Sequence, residues 1–211
     1  MIIRIARHYA RDIVIALVLA VIAAVLIDRY EKWTRLQAIL NNRRAVAMLI
    51  ARDQSGRVVA QGTGFFINRK GILATAYHVV KGAVGVQAHL SSGAFYNLKS
   101  FRAADEEADI AILQFDATET PSVSGLGNSD KLQVGEEVYA IGTPVGLRGT
   151  VSTGNISNPA QQITGRSFIQ FTAPISPGSS GGGLFNLDGE VVGITAALRS
   201  AQGREPAKLR T

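Results

Sequence analysis

After residue 44 no long stretch of the chain keeps helical spacing. Short apolar or alternating runs follow one another instead, separated by Ser55-Gly56, Lys70-Gly71, Ser92-Gly93 and Asp188-Gly189. Runs this short, bounded by residues that favour turns, suit strands rather than helices. The pattern predicts strands near 45–51, 58–67, 72–75, 83–90, 95–102 and 109–115. Beyond a Pro/Ser/Gly-rich stretch at 117–130 it predicts five more, near 137–142, 149–157, 167–173, 183–187 and 190–197. Strands in unbroken succession, with no helices between them, point to an all-β sandwich or a pair of barrels and exclude βαβ units.

The front of the chain obeys different rules. Ile13 to Ile27 is an uninterrupted apolar run of 15 residues without Gly or Pro. Such a run spans roughly 22 Å as a helix, and a hydrocarbon core is ~30 Å thick. Arg11 and Arg29 can snorkel, and Tyr9, Tyr30 and Trp33 suit the interface, so the flanks complete the span. Asp28-Arg29-Tyr30-Glu31 follows the run where a cleaved leader would carry small residues, which favours an uncleaved signal anchor. The expected order is a basic segment 1–12, a transmembrane anchor 13–27 and a helical stalk 28–44. On the stalk, Trp33, Leu36 and Ile39/Leu40 share one face, either packed on the chain's own body or used for self-association. Arginines on both sides of the span leave its orientation open by charge.

Charge separates the ends from the middle. The net charge is +6, which at first suggests a nucleic-acid partner. Residues 1–44 carry a net +5 and residues 199–211 a net +3, however, leaving ten basic and twelve acidic residues in 45–198. A slightly acidic body is a poor surface for nucleic acid. The chain has no Cys, which excludes disulfides, a thiol nucleophile, zinc–thiolate and iron–sulfur sites and c-type haem attachment.

Three motifs stand in a telling order: Thr75-Ala76-Tyr77-His78, then Ala108-Asp109-Ile110-Ala111-Ile112-Leu113, then Pro177-Gly178-Ser179-Ser180-Gly181-Gly182. A serine hydroxyl is a weak nucleophile and needs a base within hydrogen-bond reach. An imidazole meets that need near neutral pH. A carboxylate behind it fixes the tautomer and stabilises the imidazolium. The chain order His, Asp, Ser is the one found on paired β-barrels. His78, Asp109 and Ser180 are therefore the candidate catalytic residues. A tight glycine loop lets the N–H groups of Gly178 and Ser180 converge as an oxyanion hole. His89 sits mid-strand, His8 lies before the apolar run, and Ser179 is the rival nucleophile.

These stretches resemble the HtrA/Deg-type trypsin-like serine proteases. The similarity runs through Gln61–Gly82, Gly127–Ser157 and Ile169–Thr195, and covers about residues 45–198. It implies a chymotrypsin/trypsin-like double six-stranded β-barrel, with the first barrel at 45–117 and the second at 118–198. The active site would lie in the cleft between them. It implies peptide-bond hydrolysis through an acyl-enzyme, with no metal and no cofactor, on unfolded or damaged proteins. It also implies a trimer and a catalytic domain on the periplasmic side. By position, Ile194, Thr195, Ala196, Ala197 and Leu198 would flank the pocket for the residue before the scissile bond (P1). Lacking an acidic side chain, they would favour small or medium apolar residues such as Val or Ala. Two features depart from the family. Gly-Ser-Ser-Gly-Gly-Gly replaces the usual Gly-Asn-Ser-Gly-Gly-Pro, and the polar, basic tail 199–211 is expected to hold no last strand, leaving the second barrel open. No PDZ-like segment follows residue 198. An inactive, peptide-binding member of the same fold is the alternative reading.

Overall fold

The computed structural model describes residues 2–123, 125–144, 149–163, 165–196 and 208–210. It divides into two units, Met1–Gln37 and Ala38–Thr211. A single helix, α1 (Ile2–Ala45), makes up the first unit and supplies the start of the second. From Ile13 onward it is long and apolar enough to cross a membrane, with a mean hydropathy of 2.5 over its most apolar window and none of that window buried. Arg43 and Arg44 occupy its last turn, where positive charge complements the helix dipole. Asn42 is fully buried there. Its amide donates to Tyr139 Oη at 3.0 Å and to the Gly189 carbonyl at 2.6 Å.

Six strands follow: β1 (Val46–Arg52), β2 (Val58–Phe66), β3 (Ile72–Ala76), β4 (Gly85–Leu90), β5 (Phe95–Asp105) and β6 (Ile110–Phe115). They close into a barrel in the order β1-β2-β3-β6-β5-β4. Alternation places one face inside: in β4, Val86, Ala88 and Leu90 are buried and their neighbours are not. Leu49, Phe66, Leu73, Leu113 and Phe115 complete that core. The Phe66 ring meets those of Tyr96 and Phe115 edge-on at 5.9 Å. Burying each such ring contributes about 2–3 kcal/mol.

The second sheet contains β7 (Gly125–Leu126), β8 (Glu137–Gly142), β9 (Thr150–Ile163), β10 (Arg166–Phe171), β11 (Gly183–Asn186), β12 (Glu190–Ala196) and β13 (Lys208–Arg210). Its order is β11-β8-β9-β10-β13-β12-β7, and β11 also pairs with β12. Its core is built from Val138, Ile156, Ile169, Phe171, Leu184 and Val192. A third cluster joins the two sheets: Phe65 and Ala74 of the first pack with Tyr139, Ile141 and Phe185 of the second. Phe185 stacks on Tyr139 at 5.1 Å and meets Phe65 at 6.3 Å. Burial pushes the Tyr139 phenol up to about 12, although the hydrogen bond from Asn42 pulls the other way.

The tail departs from expectation. Lys208–Arg210 forms a three-residue strand, pairing Leu209 with Ile169 of β10 and with Thr195 of β12. The place expected to be empty is thus filled, although by far fewer residues than the 14 of β9. Strand pairing draws on backbone N–H and C=O groups, which polar residues supply as well as apolar ones. Inside 117–130, β7 lies parallel to β12 and a 3-10 turn covers Ser129–Lys131.

Candidate active site

The site begins at the end of β3. The backbone turns there into a single helical turn, α2 (Tyr77–Val80), held down by the buried Val79 and Val80. His78 points away from that core, with its side chain 47% exposed. β3 pairs with β6 so that Ala76 faces Ile110, which brings the residue before Ile110 alongside α2. That residue is Asp109, the only non-glycine position with positive φ among the described residues (φ 54°). Asp and Asn tolerate this region better than other side chains.

Three hydrogen bonds join the two residues' surroundings. Tyr77 N–H donates to the Asp109 carbonyl at 3.0 Å. His78 N–H donates to Asp109 Oδ1 at 2.9 Å, and Asp109 Oδ2 lies 2.8 Å from His78 Nδ1. An ionised carboxylate only accepts, so Nδ1 carries the proton and Nε2 is left as the basic nitrogen. Beside them Lys81 pairs with Glu106 of the turn before Asp109. That hydrogen bond raises the Lys81 ammonium above its usual range.

The loop between β10 and β11 carries the serines. Ser179 N–H closes a turn onto Ser176 O at 2.9 Å, and Gly182 N–H reaches Ser179 O at 3.0 Å. Gly178 and Gly181 take φ of 95° and 87°, open to glycine and strained for other residues. The loop is fastened on two sides. Thr63 of β2 donates its N–H to Ser180 O at 2.8 Å and its hydroxyl to Gly178 O at 2.7 Å. On the other side, Thr195 of β12 accepts the Gly181 N–H at 2.7 Å and donates its hydroxyl to Ser179 O at 2.6 Å. A Cβ on Gly181 would lie 2.3 Å from Thr75 Oγ1 and 3.0 Å from Ala76 N. The segment after Ser180 thus packs against the two residues that precede α2. Ser180 is half-buried, whereas Ser179 is buried with its side chain turned towards Gly142. Gly178 N–H makes no hydrogen bond to a described residue.

The remaining candidates are scattered. Thr195 lines a cavity of about 180 Å³ with Ala140, Pro144, Ile175, Ser176 and Ser179. Its neighbour Ile194 faces a separate apolar cavity of about 310 Å³ with Phe65, Ile110 and Ile112. Strand alternation sends the two side chains to opposite sides. Ala196 is half-buried at the end of β12, and Ala197 and Leu198 lie outside the described residues. His89 is on β4, stacked on Phe95 at 5.6 Å and not brought to His78. Thr63 and Thr143 escaped notice in the sequence, where the available signal was a Gly-Thr pair in each half, at 62–63 and 142–143.

A closed barrel beside a second sheet, with a His–Asp pair on one and a glycine-bounded serine loop on the other, defines the chymotrypsin-like class of fold. Residues 62–194 match the family described as trypsin-like peptidase domain, and the chain belongs to that family. Among its relatives is a DegP-like periplasmic serine endoprotease of Chlamydia muridarum, 38% identical over 151 residues. That match covers 70% of this chain and 30% of the relative. The serine protease HTRA1B of Danio rerio is 41% identical over 143 residues, covering 64% of this chain and 30% of that protein. A solved structure of the HtrA-type protease AlgW with a tripeptide superposes with a TM-score of 0.75 at 30% identity. The superposition covers 83% of this chain and 59% of that one. The chain thus spans under a third of the length of these two curated relatives.

Proposed function

We propose that the chain is a membrane-anchored serine endopeptidase in which His78, Asp109 and Ser180 act together. The observation that carries this reading is the two-point bond from Asp109 to His78, at 2.9 Å to the backbone N–H and 2.8 Å to Nδ1. It leaves Nε2 free to take a proton. Ser180 Oγ gives its proton to His78 Nε2 and bonds to the carbonyl carbon of the peptide, whose π electrons move onto oxygen. The N–H groups of Gly178 and Ser180 hold that oxyanion. His78 then passes its proton to the leaving amine, the C–N bond breaks, and an acyl-enzyme remains. Water, activated by His78, repeats the sequence and releases the acid.

The 180 Å³ cavity beside Ser179, walled by Ala140, Ile175 and Thr195 with no acidic side chain, supports a small or medium apolar P1 residue such as Val or Ala. The exposed apolar helix supports anchorage through residues 13–27. The periplasmic relatives support a catalytic domain on the periplasmic side; action on unfolded or damaged proteins rests on the family resemblance of the sequence. The exposed Tyr30, Trp33 and Leu36 support self-association, and the family resemblance makes a homotrimer the form proposed. A second reading, a peptide-binding member without turnover, draws on the three-residue β13.

A fluorophosphonate probe separates the two readings. Labelling of the full-length protein that disappears in Ser180→Ala supports the peptidase. Absence of labelling in well-folded protein refutes it.

A further inference from the structure

Thr63 is the most heavily bonded side chain around the serine loop, yet it lies in the opposite barrel. It is fully buried on β2, and Thr143 at the end of β8 is 2% exposed. Thr63 Oγ1 lies 2.7 Å from Gly178 O, 2.9 Å from Thr143 Oγ1 and 3.0 Å from Thr143 N. A hydroxyl has one proton and two acceptor sites. Gly178 O can only accept, so the Thr63 proton goes there. One acceptor site then takes the Thr143 N–H, and the single Thr143 hydroxyl proton is shared between Thr63 Oγ1 at 2.9 Å and Gly62 O at 3.2 Å. Two oxygens 2.7 Å apart need a proton between them, and that contact sets the orientation of the Thr63 hydroxyl. Gly62 and Gly142, which precede the two threonines, allow this approach. A Cβ on Gly62 would lie 3.0 Å from Ser180 O, and one on Gly142 would lie 2.8 Å from Ser179 Oγ.

We infer that Thr63 is a positioning residue, whose hydroxyl fixes the Gly178 carbonyl and so aims the Gly178–Ser180 turn at the substrate oxyanion. The inference rests on the peptidase reading above. The Gly178 peptide sits at φ 95°, where glycine has wide freedom to rotate. With its carbonyl clamped, the turn is held with its N–H groups towards the substrate oxyanion. Thr143 completes the clamp and ties it to β8. Without the hydroxyl, Gly178 O and the Thr143 N–H lose their partner together, and a buried orphan seeks another arrangement.

The test compares Thr63→Ser with Thr63→Ala in the full chain, since the two differ only by the hydroxyl. Thr63→Val serves as a second hydroxyl-free variant should the alanine variant not fold. With a peptide anilide bearing P1 Val, Thr63→Ala should lose roughly 10- to 100-fold in kcat with KM little changed. Thr63→Ser should stay close to wild type. A merely structural role would not move a second readout, the pH titration of the adduct with a ¹³C-carbonyl peptidyl trifluoromethyl ketone. In that adduct Ser180 Oγ bonds to the ketone carbon, the serine proton goes to His78 and the oxyanion sits on the loop. Without the hydroxyl the adduct oxygen should titrate higher by about one pH unit or more. Equal kcat and equal titration in the Ser and Ala variants overturn the inference. If the wild type forms no adduct, the peptidase reading falls, and amide exchange at 178–181 still decides the clamp. Faster exchange in Thr63→Ala than in Thr63→Ser upholds it, and equal exchange overturns it.

Discussion

Asp109→Asn tests the proposed triad chemistry with almost no change in shape. The backbone N–H of His78 donates to Oδ1 at 2.9 Å, and only an oxygen can accept it. In the variant the amide oxygen must therefore take that position, which turns the NH₂ towards His78 Nδ1, where Oδ2 now stands at 2.8 Å. Nδ1 must then accept, the imidazole proton moves to Nε2, and the nitrogen facing the nucleophile can no longer take a proton. The expected loss is about 10⁴-fold in kcat/KM at neutral pH, equivalent to about 5.5 kcal/mol of transition-state stabilisation. The fold should hardly register the change. Asn tolerates the φ of 54° at this position, so the urea midpoint should correspond to a stability within about 1 kcal/mol of wild type. Hydrolysis of a P1-Val anilide, normalised by circular dichroism to folded protein, measures the effect. A well-folded Asp109→Asn protein that keeps activity within tenfold of wild type would refute the tautomer argument.

Two further outcomes follow from groups around the site. The Tyr139 phenol, raised from 10.0 to about 12 by burial, stays neutral in the folded chain after it has ionised in the unfolded one. Stability should therefore be unaffected below pH 10 and fall between pH 10 and 12, by up to about 2–3 kcal/mol. Urea titrations of wild type and Tyr139→Phe over that range should diverge, and parallel curves would count against the burial argument. Gly181→Ala places a Cβ 2.1 Å from the Thr63 carbonyl at φ 87°. It should destabilise the chain by more than about 3 kcal/mol or displace the loop, with probe labelling slowed at least about 100-fold. Gly56→Ala, also at positive φ but with nothing within 4 Å, should cost only about 1 kcal/mol and label normally. Equal behaviour of the two glycine variants would show that the crowding at Gly181 is not real.

The parts legible in the sequence were those with local signals. Alternation and Gly turns marked eleven strands, because one buried face repeats every second residue whatever the partner. β9 was underestimated because Asn158-Pro159 reads as a break; the strand runs through it to Ile163, with the pairing to β10 irregular between Phe168 and Phe171. β7 and β13 carry two and three residues, and their existence depends on a neighbour offering an edge. His78 and Asp109 were readable from their motifs, and β3–β6 pairing brings them together. Thr63 and Thr143 were not. Their hydroxyls meet across 80 residues of sequence, and nothing in either Gly-Thr pair announces the other.

The serine loop makes two turn bonds of its own, but its fastening to the fold comes from distant residues. Its carbonyls are held by Thr63, 115 residues before Gly178, and by Thr195, 16 residues after Ser179. In chain order the six strands that carry His78 and Asp109 are therefore complete before the proposed nucleophile Ser180 can be fastened. The loop gains both fastenings only when β12 has been made. Loosening of either β2 or β12 releases carbonyls of this loop, so under the proposed function activity is lost when the packing of either sheet is lost.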